Sequence, residues 1–140
     1  MENTPLNQMA AYFSGLTPEN VAHISERYAE NVSFEDPMNR GEGLKDLELI
    51  FEDLFKQLKE LKMEITAKHE PGALEWVMSY KFRGKQRTLP GGSFFEFDEN
   101  GLVRRQRDYW DAGVGVYAEF PLLNLALRGI RKMVSVVDRG

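Results

Sequence analysis

A chain of 140 residues fits one domain of ordinary size, large enough to bury a real core, and 42% hydrophobic with 29% charged residues argues against global disorder. The net charge of −4, with acids and bases interspersed, lacks the basic stripe that a nucleic-acid binder needs, so no nucleic acid is expected as partner. Cysteine is absent, which excludes disulfides, thiol catalysis and cysteine metal sites.

No N-terminal stretch combines a basic start with an apolar run, and the longest apolar stretch is broken by Asn124 and Arg128. A cytoplasmic location and no membrane partner are the expectations.

Pro5 to Ser14 predicts a first helix, with Leu6, Met9, Ala10 and Phe13 at helical spacing and Gly15 ending it. Thr17-Pro18-Glu19 has the chemistry of a second helix start, and that helix is expected to reach about Ala29 with Val21, Ile24 and Tyr28 inward. Val32 to Asp36 alternates as a short strand, placing Val32, Phe34 and Asp36 on one face before Pro37 stops it. Gly43 to Glu60 is the clearest helix, its apolar stripe running from Leu44 through Leu47, Phe51 and Leu54 to Leu58 and Leu61.

Four strands follow, at Lys62 to Glu70, Ala73 to Arg83, Gln86 to Asp98 and Leu102 to Asp111, with Pro71-Gly72 and Glu99-Asn100-Gly101 as turns. Pro90-Gly91-Gly92 predicts a bulge or sharp bend within the third of them. Helices first and an antiparallel meander afterwards give an α+β domain with helices on one face of the sheet. Residues 113–140 are expected to form a helical extension split at Pro121, with a basic amphipathic stripe suited to a lid, a dimer contact or a membrane surface.

Asp36 is the first residue that could carry chemistry. A carboxylate continuing an apolar row is costly to ionise, which suits a general base, while a cap on the turn at Pro37 explains it equally well. Asp108 shares a strand face with Gln106 and Trp110, and reads either as a second inward carboxyl or as a buried partner of Arg105, Arg107 or a backbone amide. Two inward carboxyls push their pKa values apart, giving one acid and one base. Trp76, Tyr80, Phe95, Phe97 and Trp110 fit either a pocket lining or plain core. His23 and His69 are isolated and make no ligand pattern, so no metal is expected, and the phosphate-binding glycine patterns are absent.

Tyr12, followed by Tyr28-Ala29-Glu30-Asn31 leading into Phe34-Glu35-Asp36-Pro37, resembles the opening of bacterial ketosteroid isomerases and their SnoaL-like relatives, members of the nuclear transport factor 2-like superfamily. The resemblance runs over most of the chain, to Trp110-Asp111. It implies a cone-shaped, mostly antiparallel curved sheet enclosing a pocket, a homodimer, Asp36 as the proton-shuttling base and Tyr12 as donor to an oxyanion. The position of the isomerases' second acid is taken here by Ser93, a poorer oxyanion stabiliser. Arg107-Asp108-Tyr109-Trp110-Asp111 also resembles a stretch of limonene epoxide hydrolase, in which Asp108 matches one member of the water-activating Asp-Arg-Asp set. The other two members fall on the strand of Trp76, Met78 and Tyr80, which supplies no such groups.

The expectation is thus a cofactor-free proton-transfer enzyme for a small apolar or aromatic carbonyl compound. Asp36, Tyr12 and Asp108 are its catalytic candidates; Ser93, Phe34, Trp76, Met78, Tyr80, Phe95 and Trp110 are the candidates for touching substrate. The rival is a non-catalytic binding or protein-interaction module of the same fold.

Overall fold

A computed structural model describes residues 3–111 of the chain. The first helix, α1 (Pro5–Ser14), starts where expected because the Thr4 hydroxyl accepts from the Asn7 amide at 3.1 Å and Pro5 is preset for the first turn. Its inner stripe buries Leu6, Met9, Ala10 and Phe13.

The second helix is shorter than its spacing predicts. It is a 3-10 helix, Glu19–Glu26, and Tyr28 and Ala29 already belong to strand β1 (Tyr28–Glu35). Pairing at long range decides the boundary: Tyr28 lies opposite Val103, whose amide donates to the Arg27 carbonyl at 2.9 Å. β2 (Arg40–Glu42) is a short hairpin partner of β1 that the sequence reading did not anticipate. Helix α2 (Leu44–Gln57) also stops early. Leu58 is already extended and Glu60 takes a positive φ of 51°, so the buried Leu58 caps the helix, the buried Leu61 falls in strand β3 (Lys59–His69), and neither extends the helix.

Strands β4 (Ala73–Phe82), β5 (Lys85–Phe97) and β6 (Val103–Trp110) complete one six-stranded sheet in the order β2-β1-β6-β5-β4-β3. The meander holds from β3 to β6, but β1 joins β6 in parallel, so the sheet is mixed. The turn from β5 to β6 is tied by Asp98, whose carboxylate accepts from the amides of Asn100 at 2.8 Å and Leu102 at 3.0 Å.

The bulge expected at Pro90-Gly91-Gly92 is not there. The β4–β5 ladder keeps one register from Ala73 opposite Phe94 to Phe82 opposite Lys85. Gly91 serves a different need: the Trp76 ring lies across it, and a Cβ there would stand 2.4 Å from the ring's Cη2. The inner face of the sheet carries Val32 and Phe34 from β1, the alternating Leu74, Trp76, Met78, Tyr80 and Phe82 of β4, and Leu89 and Phe95 of β5, all buried. Burial of this row is the main apolar contribution to the fold.

The expected helical extension at 113–140 lies outside the described residues. Among the described residues no helix is long and apolar enough to cross a membrane.

Gly91→Ala is expected to cost about 1–3 kcal/mol, since ring and backbone must move apart. Gly15→Ala, where the nearest atom to the new Cβ is the Ala11 carbonyl oxygen at 3.5 Å, should change stability by no more than about 0.5 kcal/mol. Urea unfolding of the two variants, followed by tryptophan fluorescence, checks the contrast.

Candidate functional site

β5 and β6 pair so that Ser93 lies directly opposite Asp108. That register lets the Ser93 hydroxyl donate to Asp108 Oδ1 at 2.6 Å, while the Ser93 oxygen accepts from the Trp76 indole N–H at 2.9 Å. Gln106, two residues before Asp108 and therefore on the same face, donates to the same Oδ1 at 2.9 Å. The Gln106 carbonyl oxygen in turn accepts from the Tyr28 hydroxyl at 2.6 Å. Five side chains from β1, β4, β5 and β6 thus form one hydrogen-bonded chain ending on a carboxyl.

Burial pushes the Asp108 carboxyl up to about 7, against the Ser93 and Gln106 hydrogen bonds, which favour its charged form. The charge of Asp36 raises it further. Asp36 titrates upward too, again through burial, opposed by donors from the turn that follows it.

Asp36 sits just beyond β1 with one oxygen closing a tight turn. Its Oδ1 accepts from the amides of Met38 at 2.7 Å and Asn39 at 2.6 Å, and the Asn39 side-chain amide lies 3.3 Å from both carboxylate oxygens. The structure thus shows the cap on the turn, made by a part-buried carboxyl.

The Tyr12 hydroxyl donates to the Asn20 carbonyl at 3.0 Å, and burial pushes it up to about 12. Its ring meets Tyr28 edge-on, with centroids 6.4 Å apart. Tyr12 thus borders the polar chain through Tyr28, and its own proton is committed to a carbonyl in the first turn of the 3-10 helix.

Phe34, Trp76, Met78, Tyr80 and Phe95 are buried on the inner face. Phe34 packs edge-on against Phe51 of α2, and Phe95 stacks on Phe97. Trp110 is part-buried on the face of Asp108, and its indole N–H has no partner among the described residues.

Tyr28 and Gln106 were not among the candidates read from the sequence. Period two already placed Gln106 beside Asp108, but Tyr28 was assigned to a helix, which hid its place on the same sheet. Among the described residues no cluster of acids and histidines could hold a metal.

A cavity of about 600 Å³ opens on the other face of β5 and β6, lined by Phe94, Phe95, Glu96, Arg105, Arg107 and Tyr109. Phe94 and Tyr109 are 55% and 51% exposed there and pack edge-to-face, with centroids 5.7 Å apart.

The SnoaL-like domain family model matches residues 9–106. No curated protein matches the chain. Among solved structures, a hypothetical protein with a ketosteroid isomerase-like fold from Catenulispora acidiphila, in complex with trimethylamine, aligns with a TM-score of 0.69 at 15% identity, covering 84% of this chain and 92% of its own. An epoxide hydrolase of M. tuberculosis, described as LEH-like, aligns with a TM-score of 0.63 at 19% identity, covering 93% and 94%. A candidate isomerase of the SnoaL-like family from Agrobacterium tumefaciens strain C58 aligns with a TM-score of 0.60 at 13% identity, covering 77% and 95%. At these identities the likeness establishes the fold, which is the nuclear transport factor 2-like one expected.

Asp108 binds its proton more tightly folded than unfolded, so its contribution to stability is full below the ordinary value of 3.8 and is lost as pH rises through about 7. Asp108→Asn removes that dependence. The stability difference between variant and wild type should shift in favour of the variant by up to about 1.4 kcal/mol per pH unit inside the window. Urea unfolding at pH 5 and pH 7.5 measures it; a pH-independent difference would show that Asp108 titrates normally.

Proposed function

The chain belongs to the SnoaL-like domain family, and we propose that it is a cofactor-independent proton-transfer enzyme acting on a small apolar carbonyl compound held against the inner face of the sheet. The observation that carries the reading is the buried Asp108 carboxyl, bridged by Ser93 and Gln106 and held up to about 7, with Asp36 as a second carboxyl whose charge it feels. Burial pushes the Asp108 carboxyl up to about 7, so near neutral pH it still holds a proton for part of the time, and we assign it the acid's role and Asp36 the base's. That is the division of labour an enolisation needs.

In the proposed step the free side of Asp36 takes a proton from the carbon alpha to the carbonyl. The electron pair moves onto the carbonyl oxygen, where Asp108 donates a hydrogen bond to the developing enolate. Return of the proton from Asp36 to another carbon completes an isomerisation. The Tyr12 hydroxyl donates to the Asn20 carbonyl, so the oxyanion role falls to Asp108, and Ser93 assists by orienting it. The unpartnered indole N–H of Trp110, on the same face, is a further donor for a bound ligand. Trp76, Met78, Phe34, Tyr80 and Phe95 supply the apolar surroundings that keep water from solvating the carboxyls.

A non-catalytic binding module of the same fold is the second reading. It is favoured by one specific contact set, the turn amides that occupy Asp36 Oδ1.

Thermal-shift measurements with planar enones and phenols separate the two. An enone should stabilise the wild type at pH 6 and lose most of that effect at pH 8.5, where Asp108 is ionised. Asp108→Asn keeps a donor at the same place and should retain the shift at both pH values. Phenolates, which mimic an enolate, should bind more tightly to Asp36→Asn because a repelling charge is gone. No response in any of the three proteins would demote the carboxyl pair to structure.

The outer face has its own proposed occupant, a second copy of the chain. Its aromatic pair is rimmed by both signs of charge, Glu96 with Arg104 and Arg105, and Glu35 with Arg107, so a two-fold copy can set acid against base. The double variant Phe94→Lys, Tyr109→Lys should be a monomer by light scattering at concentrations where the wild type is a dimer. A monomeric wild type would end this assignment.

A further inference from the structure

The chain of polar groups behind Asp108 has a direction, and the direction is set at its far end. Tyr28 is 1% exposed, and its hydroxyl donates to Gln106 Oε1 at 2.6 Å. A buried amide has one acceptor end and one donor end. Once Tyr28 has claimed the acceptor end, the NH₂ group must face Asp108, where it donates to Oδ1 at 2.9 Å. Gln106, also 1% exposed, exchanges neither bond readily for water.

The second donor to the same oxygen is fixed in a similar way. Ser93 is fully buried, and its oxygen already accepts the Trp76 indole N–H, so its hydrogen is directed at Asp108 Oδ1. An oxygen that accepts two hydrogen bonds is the poorer place for a proton than its twin.

We propose that Tyr28 and Gln106 are positioning residues that, with Ser93, hold the proton of Asp108 on Oδ2 and so present Asp108 as a hydrogen-bond donor. The inference rests on the reading above that Asp108 is the acid of the site, and it adds which residues decide the oxygen on which its proton sits. Tyr28 does not touch the reacting atoms; it acts through the amide.

Among the described residues, the following groups surround this chain. Asp36, at the end of β1, contributes a charge that opposes ionisation. Phe51 of α2 packs on the Tyr28 ring with centroids 6.2 Å apart and is apolar, and Tyr12 of α1 meets the same ring with its hydroxyl directed to Asn20. Arg107, next to Asp108 in sequence, points to the outer face and pairs with Glu35 and Tyr109.

The test is the carboxyl ¹³C titration of Asp108 in aspartate-labelled protein, with the resonance assigned by its loss in Asp108→Asn. In Tyr28→Phe the Gln106 amide is free to turn and offer its oxygen, which favours the protonated acid, so the midpoint should rise by about one pH unit, a tenfold gain in proton affinity. Gln106→Met removes one donor from Oδ1 and should raise the midpoint similarly, and it keeps the test open if Tyr28→Phe folds poorly. Ser93→Ala, which removes the other donor, should raise it whatever Tyr28 does. A purely structural Tyr28 would lower the unfolding midpoint and leave the titration unmoved. An unchanged titration in both Tyr28→Phe and Gln106→Met overturns the proposal; a change in Gln106→Met alone overturns the role of Tyr28. Failure of the enzymatic reading is distinct, because it would appear as a missing ligand response with these titration shifts intact.

Discussion

A carboxyl group on the buried face of a sheet must be protonated, bridged or matched by opposite charge, because an unsolvated anion is costly. At Asp108 the protein uses bridging and partial protonation together. Much of the surrounding arrangement follows from that choice. The bridge from Ser93 requires β5 and β6 to pair with 93 opposite 108. The Ser93 hydrogen is directed to the carboxyl because the Trp76 indole N–H occupies the serine oxygen. The Trp76 ring reaches that position by lying over Gly91, where no side chain could be accommodated. A glycine that looks like a strand breaker in the sequence is therefore part of the support of Ser93, two residues along the same strand, and through it of the Asp108 carboxyl on β6.

The two acids differ through their partners more than through their type. Asp36 is held by backbone amides from a turn, which are fixed dipoles that favour its anion and tie it to the chain's geometry. Asp108 is held by side chains that are themselves held by other side chains. A buried network of this kind is stable only when its members are satisfied, and each lost member strands a donor or acceptor in an apolar setting. The arrangement fixes the network to a single pattern of donors and acceptors, which is what a group that must give up or accept a proton at a defined place requires.

Much of the fold was legible because it rests on local periodicity. The bounds of α1 followed from Pro5, the spacing of Leu6, Met9, Ala10 and Phe13, and Gly15, and the alternation from Leu74 to Phe82 gave β4 its face. The misreadings share one cause, which is that local pattern cannot see a distant partner. Tyr28 continues a helical spacing from Val21 and Ile24, yet pairing with Val103 draws it into a strand. Leu58 and Leu61 continue the stripe of α2, yet the first caps the helix and the second lies in β3. Gly91-Gly92 suggests a bulge until the Trp76 ring above it is known. The site was legible to the same degree: Asp36 stands out as an acid in an apolar row and Asp108 by its strand face and the stretch around it, whereas Tyr28 and the donor side of Gln106 depend on contacts seventy-eight residues apart in sequence.

Strand β6 carries two different surfaces on alternate residues. Gln106 and Asp108 face inward to the polar chain, while Arg105, Arg107 and Tyr109 face outward to the cavity beside Phe94. Because side chains alternate strictly, a slip of one residue would bury the arginines among the aromatics and expose the carboxyl network. Each face thereby guards the register of the other. The outward cations cannot be buried unpaired, and the inward acid cannot keep its bridge unless Ser93 remains opposite it. The strand that fixes the proposed chemistry on one face thus also fixes the proposed contact surface on the other, and the parallel pairing of β1 along its free edge brings Tyr28 to the same network.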